Sequence, residues 1–165
     1  MVYIRLAQMD DINVITEIYN EAVLSTDASF DTEPKTEAEQ RVWFDRHGAK
    51  NPVLVAELDG GVVGWVSLSE WSPRQAYADT AEVSLYVKEE FRDKGIGKRL
   101  LESIIQEGEK AGLHTVVARI TTGNKQSIHL HEEAGFERIG IMREVGYKFG
   151  RLLDVCLMQK IYHSE

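Results

Sequence analysis

A strand-like run ending at Val87 is followed by Lys88-Glu89-Glu90-Phe91-Arg92-Asp93-Lys94-Gly95-Ile96-Gly97-Lys98, and a helix-like run opens at Ile96. A helix start leaves backbone N–H groups without partners, and they point along the axis toward any anion bound there. Gly95 and Gly97 carry no side chain, so a pyrophosphate can lie directly against the backbone, with Arg92, Lys94 and Lys98 adding positive charge around it. Two rival phosphate motifs fail on the letters. The triphosphate loop G-x-x-x-x-G-K-[ST] lacks its first glycine and has Arg99 after Lys98, and the dinucleotide fingerprint G-x-G-x-x-G has Leu100 in place of its third glycine. The glycines alone would also fit a flexible turn; their place between strand and helix is what points to anion binding.

The strand ahead of this loop, Ala81 to Val87, alternates. Ala81, Val83, Leu85 and Val87 form an apolar face, and Glu82, Ser84 and Tyr86 a polar one. Such a carboxylate is either solvated or available as a base. No enzyme nucleophile stands out. The single cysteine, Cys156, lies in the apolar run Leu152 to Met158 and reads as a small core residue. Asn124 opens a short helix and fits an N-cap.

These groups are carried by a regular succession of elements. Val2 to Leu6 alternates as a strand. Asp10 and Asp11 supply N-cap chemistry for a helix whose apolar positions include Ile12, Ile15, Ile18 and Val23. After a polar loop, Ser25 to Lys35, Thr36 and Glu39 match a capping box for a helix reaching about His47. Val53 to Leu58 and Val62 to Leu68 form a hairpin through Asp59-Gly60-Gly61, and a loop with Trp71, Arg74, Gln75 and Tyr77 leads to the strand of Glu82. The helix from Ile96 should stop at Gly112. Thr115 to Ile120 is a strand and Lys125 to Ala134 a helix. Phe136 to Glu144 and Leu152 to Ile161 are the last strands. A strand-rich middle with helices on both faces predicts a mixed α/β sheet rather than a doubly wound parallel one.

The 165 residues fit one domain, 1–165, with 43% hydrophobic and 28% charged residues. A net charge of −8 with no basic stretch argues against nucleic acid and against acidic membranes. No apolar run approaches the ~20 residues of a membrane span, and the start MVYIRLAQMDD does not read as a signal peptide. A lone cysteine suggests no oxidising compartment, so a cytoplasmic protein is expected.

The pattern Arg92-x-x-Gly95-x-Gly97 resembles the acetyl-CoA pyrophosphate loop of the GNAT superfamily of N-acetyltransferases. A second segment, Asn124-x-x-Ser127-x-x-Leu130-His131-Glu132-x-x-Gly135-Phe136, is similar to that superfamily in register with the first. Within it, Tyr19-Asn20, Ala76-Tyr77, Glu82 to Val87 and Gly146-Tyr147-Lys148-Phe149-Gly150 with Asp154-Val155 resemble the phosphinothricin acetyltransferase branch. Phe149 departs from members with histidine there, and Glu133 is an unexpected acid beside a phosphorylated ligand.

The resemblance implies a GNAT-type, mostly antiparallel central sheet and acetyl-CoA as cosubstrate, with no metal. The acceptor would be a small amino-acid-like molecule of the phosphinothricin, methionine sulfoximine or methionine sulfone type, and the protein a homodimer meeting near Gly146 to Leu153. The alternatives are transfer to a protein N-terminus or lysine, or a non-catalytic acetyl-CoA-binding regulator. Leu85, Tyr86, Val87, the Arg92–Asp93–Lys94–Gly95–Ile96–Gly97–Lys98 loop, Asn124 and Ser127 would hold the cofactor. Glu82 would be the base, and backbone N–H groups near Leu85 to Val87 would meet the developing oxyanion. His131 stands where many members have a tyrosine that protonates the departing thiolate; it is either that acid or a packed helix histidine. Phe30, Trp71, Arg74, Gln75 and Tyr77 would border the acceptor. Arg74 pairs with its anion, and Lys148 is a second anion partner.

Overall fold

The computed structural model describes residues 1–163, and among these the chain forms seven strands and four α-helices. In chain order they are β1 Val2–Leu6, α1 Ile12–Ser25, α2 Glu37–Asp45, β2 Val53–Leu58, β3 Gly61–Glu70 and β4 Thr80–Val87. Then come α3 Ile96–Lys110, β5 Thr115–Thr121, α4 Lys125–Glu133, β6 Glu137–Lys148 and β7 Arg151–Ile161. The strands make one sheet in the order β1-β2-β3-β4-β5-β7-β6. Every neighbouring pair is antiparallel except β4 and β5. No helix among the described residues is long and apolar enough to cross a membrane.

That one parallel pairing is brief. It covers Thr80↔Thr115, Ala81↔Val116 and Glu82↔Val117, and then the two strands part. From Val83 onward β4 keeps β3 on one side and has no strand on the other. The Trp71 N–H to Thr80 O and Lys88 N–H to Val63 O bonds fix the phase of the β3–β4 ladder. Even-numbered β4 residues exchange bonds with β3, so Leu85 and Val87 turn their backbone polar groups into the gap.

Each face of the sheet is closed by two helices. Leu100, Leu101 and Ile104 of α3, and Ile128 of α4, pack with Val66, Leu68, Ala81, Val116 and Met158. Burying each such Leu or Ile contributes about 1.5–3 kcal/mol relative to exposure, which pins the start of α3 beside β4. On the other face, Ile12, Ile15 and Ile18 of α1 meet Val53, Val55 and Trp65, with Tyr19, Trp43 and Tyr86 at the margin.

Some local expectations change. Asp11 does not cap α1 through its side chain. Its carboxylate is forked by Arg5 at 2.8 and 2.9 Å and also accepts the Gln8 N–H. The Thr36–Glu39 capping box forms, but α2 ends at Asp45 because His47 N–H takes Phe44 O in a tighter turn. β6 runs to Lys148 rather than Glu144. Its register slips between Arg138 and Gly140 and again between Met142 and Gly146, and these bulges break the alternation that would have revealed one long strand.

Candidate active site

Where β4 and β5 part, a cavity of about 510 Å³ opens. Its walls come from both faces of the sheet: Glu82, Ser84 and Arg119 from the α1 side, and Val83, Ile120 and His131 from the α4 side. Both faces can contribute only because no strand fills the gap. A cleft of about 920 Å³ lies next to it, lined by the glycine loop and the start of α4. The two spaces share Ala28, Leu85, Tyr86, Thr121, Asn124 and Ser127. They form one passage with the glycine loop and the start of α3 at one end and a carboxylate at the other.

Most of the loop residues expected at the anion end line the cleft: Arg92, Asp93, Gly95, Gly97 and Lys98, with Leu85, Tyr86, Val87, Asn124 and Ser127. Gly95 caps α3 at φ +80°, a left-handed conformation that side chains disfavour. Gly97 meets no such demand. A Cβ there would make ordinary contacts, 3.5 Å from Leu130 and 3.8 Å from Leu85, so the missing side chain leaves room in the cleft. Asn124 caps α4, its Oδ1 accepting Ser127 N–H at 3.2 Å.

Three of the expected loop residues are placed differently from the rest. The Ile96 side chain is buried in the core at 2% exposure and does not line the cleft, so only its backbone N–H, at the start of α3, is available to an anion. Lys94 is outside the lining too, its ammonium 5.6 Å above the Phe91 ring. Arg92 lines the cleft but is already partnered: Nε donates to Val87 O at 3.0 Å and Nη2 to Glu21 at 3.2 Å. Its charge fastens the loop to α1, and the helix N-terminus and Lys98 remain to meet an anion.

At the other end Glu82 is half-buried, with both carboxylate oxygens forked by Arg119. Nε reaches Oε2 at 2.5 Å and Nη2 reaches Oε1 at 2.8 Å. This bond raises the Arg119 pKa above its ordinary value. Arg119 Cζ lies over the Trp71 ring, 5.4 Å from the ring centroid, in a cation–π contact. His131 is buried, and its Nδ1 lies 2.8 Å from Ser127 O. A carbonyl can only accept, so Nδ1 carries the proton and Nε2 keeps a lone pair. Burial pushes the His131 pKa down. The neutral ring is therefore a proton acceptor, which runs against the expected acid role.

The loop after α1 forms the cavity's outer wall. Tyr19 hydroxyl meets Ser29 Oγ at 2.8 Å and donates to Asp31. Burial, and then the Asp31 bond, raise the Tyr19 pKa well above the phenol range. Phe30 lines the cavity. Its ring lies against Gly146 of β6, where a Cβ would fall 2.3 Å from Phe30 Cε2. Lys148 is buried, not an open anion site: Nζ donates to Ser29 O at 2.7 Å, which ties β6 to this loop, and burial lowers its pKa.

Arg74, Gln75 and Tyr77 are not brought into the cavity; they are exposed and line neither space. Their loop joins β4 at the end still paired with β5, and Lys50–Asp79 at 2.6 Å anchors it there, outside the gap. Trp71 reaches the site only through Arg119. Sequence reasoning missed Arg119 and Asp31. Arg119 had a usable signal, as the one charge within Thr115–Thr121, a strand otherwise free of charged residues. Asp31 had none beyond its place beside Phe30.

Comparison with known proteins gives one consistent picture. The sequence model of the acetyltransferase (GNAT) family matches residues 15–136. The L-methionine sulfoximine/L-methionine sulfone acetyltransferase of Pseudomonas paraeruginosa is 42% identical over 158 residues, 94% of this chain and 92% of that protein. An acetyltransferase of Salmonella typhimurium, solved with its cofactor acetyl-CoA, superposes with a TM-score of 0.95 at 37% identity, covering 100% of this chain and 97% of that one. A phosphinothricin acetyltransferase from Sinorhizobium meliloti in complex with acetyl-CoA gives 0.94 at 37% identity, covering 97% and 88%.

Proposed function

The chain belongs to the GNAT acetyltransferase family, and on that premise we propose that it moves the acetyl group of acetyl-CoA to the α-amino group of a small amino acid or analogue. The observation that carries this reading is the shared wall at Leu85, Tyr86, Asn124 and Ser127, where the anion end of the passage meets the carboxylate end. Relatives acting on methionine sulfoximine, methionine sulfone and phosphinothricin support the acceptor class.

The cleft suits a phosphorylated, chain-like ligand. Lys98 and the first N–H groups of α3 face a pyrophosphate, Gly97 leaves it room, and the Leu85 carbonyl on the open edge of β4 suits an amide-bearing arm, the Val87 carbonyl being taken by Arg92 Nε. Acetyl-CoA, when bound, supplies the acyl group as an activated thioester. The chain's own residues do the rest. An ammonium has no lone pair, so Glu82, directly or through a water, takes its proton before the nitrogen attacks. His131 Nε2 is a second acceptor from the opposite face. Leu85 and Val87 N–H groups stabilise the negative charge that builds on the carbonyl oxygen. As the C–N bond forms the thioester C–S bond breaks and the sulfur leaves as a thiolate that takes a proton from solvent, so no enzyme nucleophile is needed.

The working form in this reading is a cytoplasmic homodimer. β6 is an edge strand, and Ile139, Ile141, Val145, Tyr147, Phe149 and Leu152 lie exposed on the β6–β7 hairpin. A second copy would cover this apolar face. The function is tested by incubating the protein with acetyl-CoA and a panel of amino acids and analogues. CoA release with an N-acetyl product of the expected mass supports it; release with no amino acid above background defeats it.

A further inference from the structure

Five N–H bonds leave a guanidinium: one from Nε and two from each Nη. Arg119 uses the Nε and Nη2 side on Glu82. Its Cζ lies over the Trp71 ring. Among the described residues, Nη1 has no hydrogen-bond partner, so the end-on fork of Nη1 and the second Nη2 hydrogen stays open. Arg119 is half exposed, and it is the one Lys or Arg among the described residues lining the cavity. Lys148 is engaged by Ser29 O and lies outside the lining, and Arg74 is outside it as well.

We infer that Arg119 reads the acceptor's α-carboxylate on its open fork while its other edge positions Glu82, so that the pair recognises the zwitterion of an α-amino acid. This rests on the acetyl-transfer reading and names the residue that selects the acceptor. An α-amino acid carries its ammonium and carboxylate on neighbouring atoms. Arg119 and Glu82 present the complementary charges side by side on one face of the sheet, at diagonal positions of β4 and β5. Carboxylate on the Arg119 fork puts the amine beside the Glu82 oxygens, each of which keeps a lone pair. The two bonds to Glu82 and the cation–π contact with Trp71 restrain the guanidinium, so less freedom is lost when the acceptor docks. Simple amines and carboxyl-capped amino acids lack this anchor.

The test compares methionine sulfone with its α-carboxamide, using wild type, Arg119→Ala, Arg119→Lys and Arg74→Ala, each shown by circular dichroism to be folded and by calorimetry to bind acetyl-CoA. Wild type should favour the acid over the amide in kcat/KM by about 10- to 100-fold, the range of one well-formed charge-assisted contact. Arg119→Ala should bring this ratio close to one, Arg119→Lys should restore part of it, and Arg74→Ala should leave it intact. If Arg119→Ala lowers both acceptors in parallel and keeps the ratio, the residue only supports Glu82 and the inference fails. It fails too if Arg74→Ala collapses the ratio, or if wild type treats acid and amide alike. Lack of turnover by wild type with methionine sulfone and every standard amino acid is a different failure, that of the acetyl-transfer reading itself.

Discussion

His131 Nδ1 is held by the Ser127 carbonyl at 2.8 Å, one turn back along α4, so the ring's Nε2 is a bare lone pair in a residue that lines the cavity. The same burial that keeps this ring neutral links stability to pH. Its folded pKa lies below the ordinary 6.5 through burial, and so does that of His47. Above 6.5 both rings are neutral folded or unfolded. As pH falls below 6.5 the unfolded chain takes up protons first, so stability is lost until the folded pKa values are passed. The melting temperature should therefore fall between pH 7.5 and pH 5, and His131→Phe should flatten part of that fall. An equal slope in the variant would assign the effect elsewhere. Asp11, whose pKa is held below 3.8 by Arg5, acts only in more acid solution.

Gly97 offers a test of the anion end that leaves the fold alone. Because a Cβ there makes only ordinary contacts, Gly97→Ala should fold normally. Gly97→Glu places bulk and like charge where a pyrophosphate would lie. Calorimetry should show acetyl-CoA affinity reduced by well over about tenfold, ~1.4 kcal/mol, with an unchanged circular dichroism spectrum. Undiminished affinity would remove the glycine loop from the cofactor site.

Gly146 and Phe30 couple β6 to the cavity wall. Gly146→Ala forces the Phe30 ring aside, since the added carbon would fall 2.3 Å from Cε2. Steady-state kinetics should show a raised acceptor KM with acetyl-CoA binding unaltered. A normal acceptor KM would mean that the Phe30 ring does not border the acceptor.

The placement of the glycine loop and of Glu82 along the passage was legible because their signals are local: a strand with clean alternation, then glycines at a helix start. The rest depended on contacts that local pattern does not encode. Arg92 reads as a free phosphate ligand until Glu21, 71 residues away, is found beside it. Arg119 gains its partner only from the Glu82↔Val117 register, which brings it diagonally across from the carboxylate. Arg74 has the right side chain for an anion but enters β4 at its closed end. The two bulges of β6 hide its period, so its second half does not read as strand.

The exposed apolar residues of β6 carry the homodimer proposal. Tyr147, 68% exposed, should lie in that interface. Sedimentation should give a dimer at micromolar concentration for wild type and a shift to monomer for Tyr147→Asp. A wild-type monomer would leave this face to another partner.

The most direct test of the central claim is the turnover of Glu82→Gln. Glutamine keeps the shape and can still accept from Arg119 through its carbonyl, but it has no basic carboxylate. With methionine sulfone and saturating acetyl-CoA, kcat should fall about 100- to 10,000-fold, the usual contribution of a positioned base, while acetyl-CoA affinity is kept. Full kcat in Glu82→Gln across the pH range would contradict the account, since the proton would then leave by a route that does not involve the carboxylate at the β4–β5 gap.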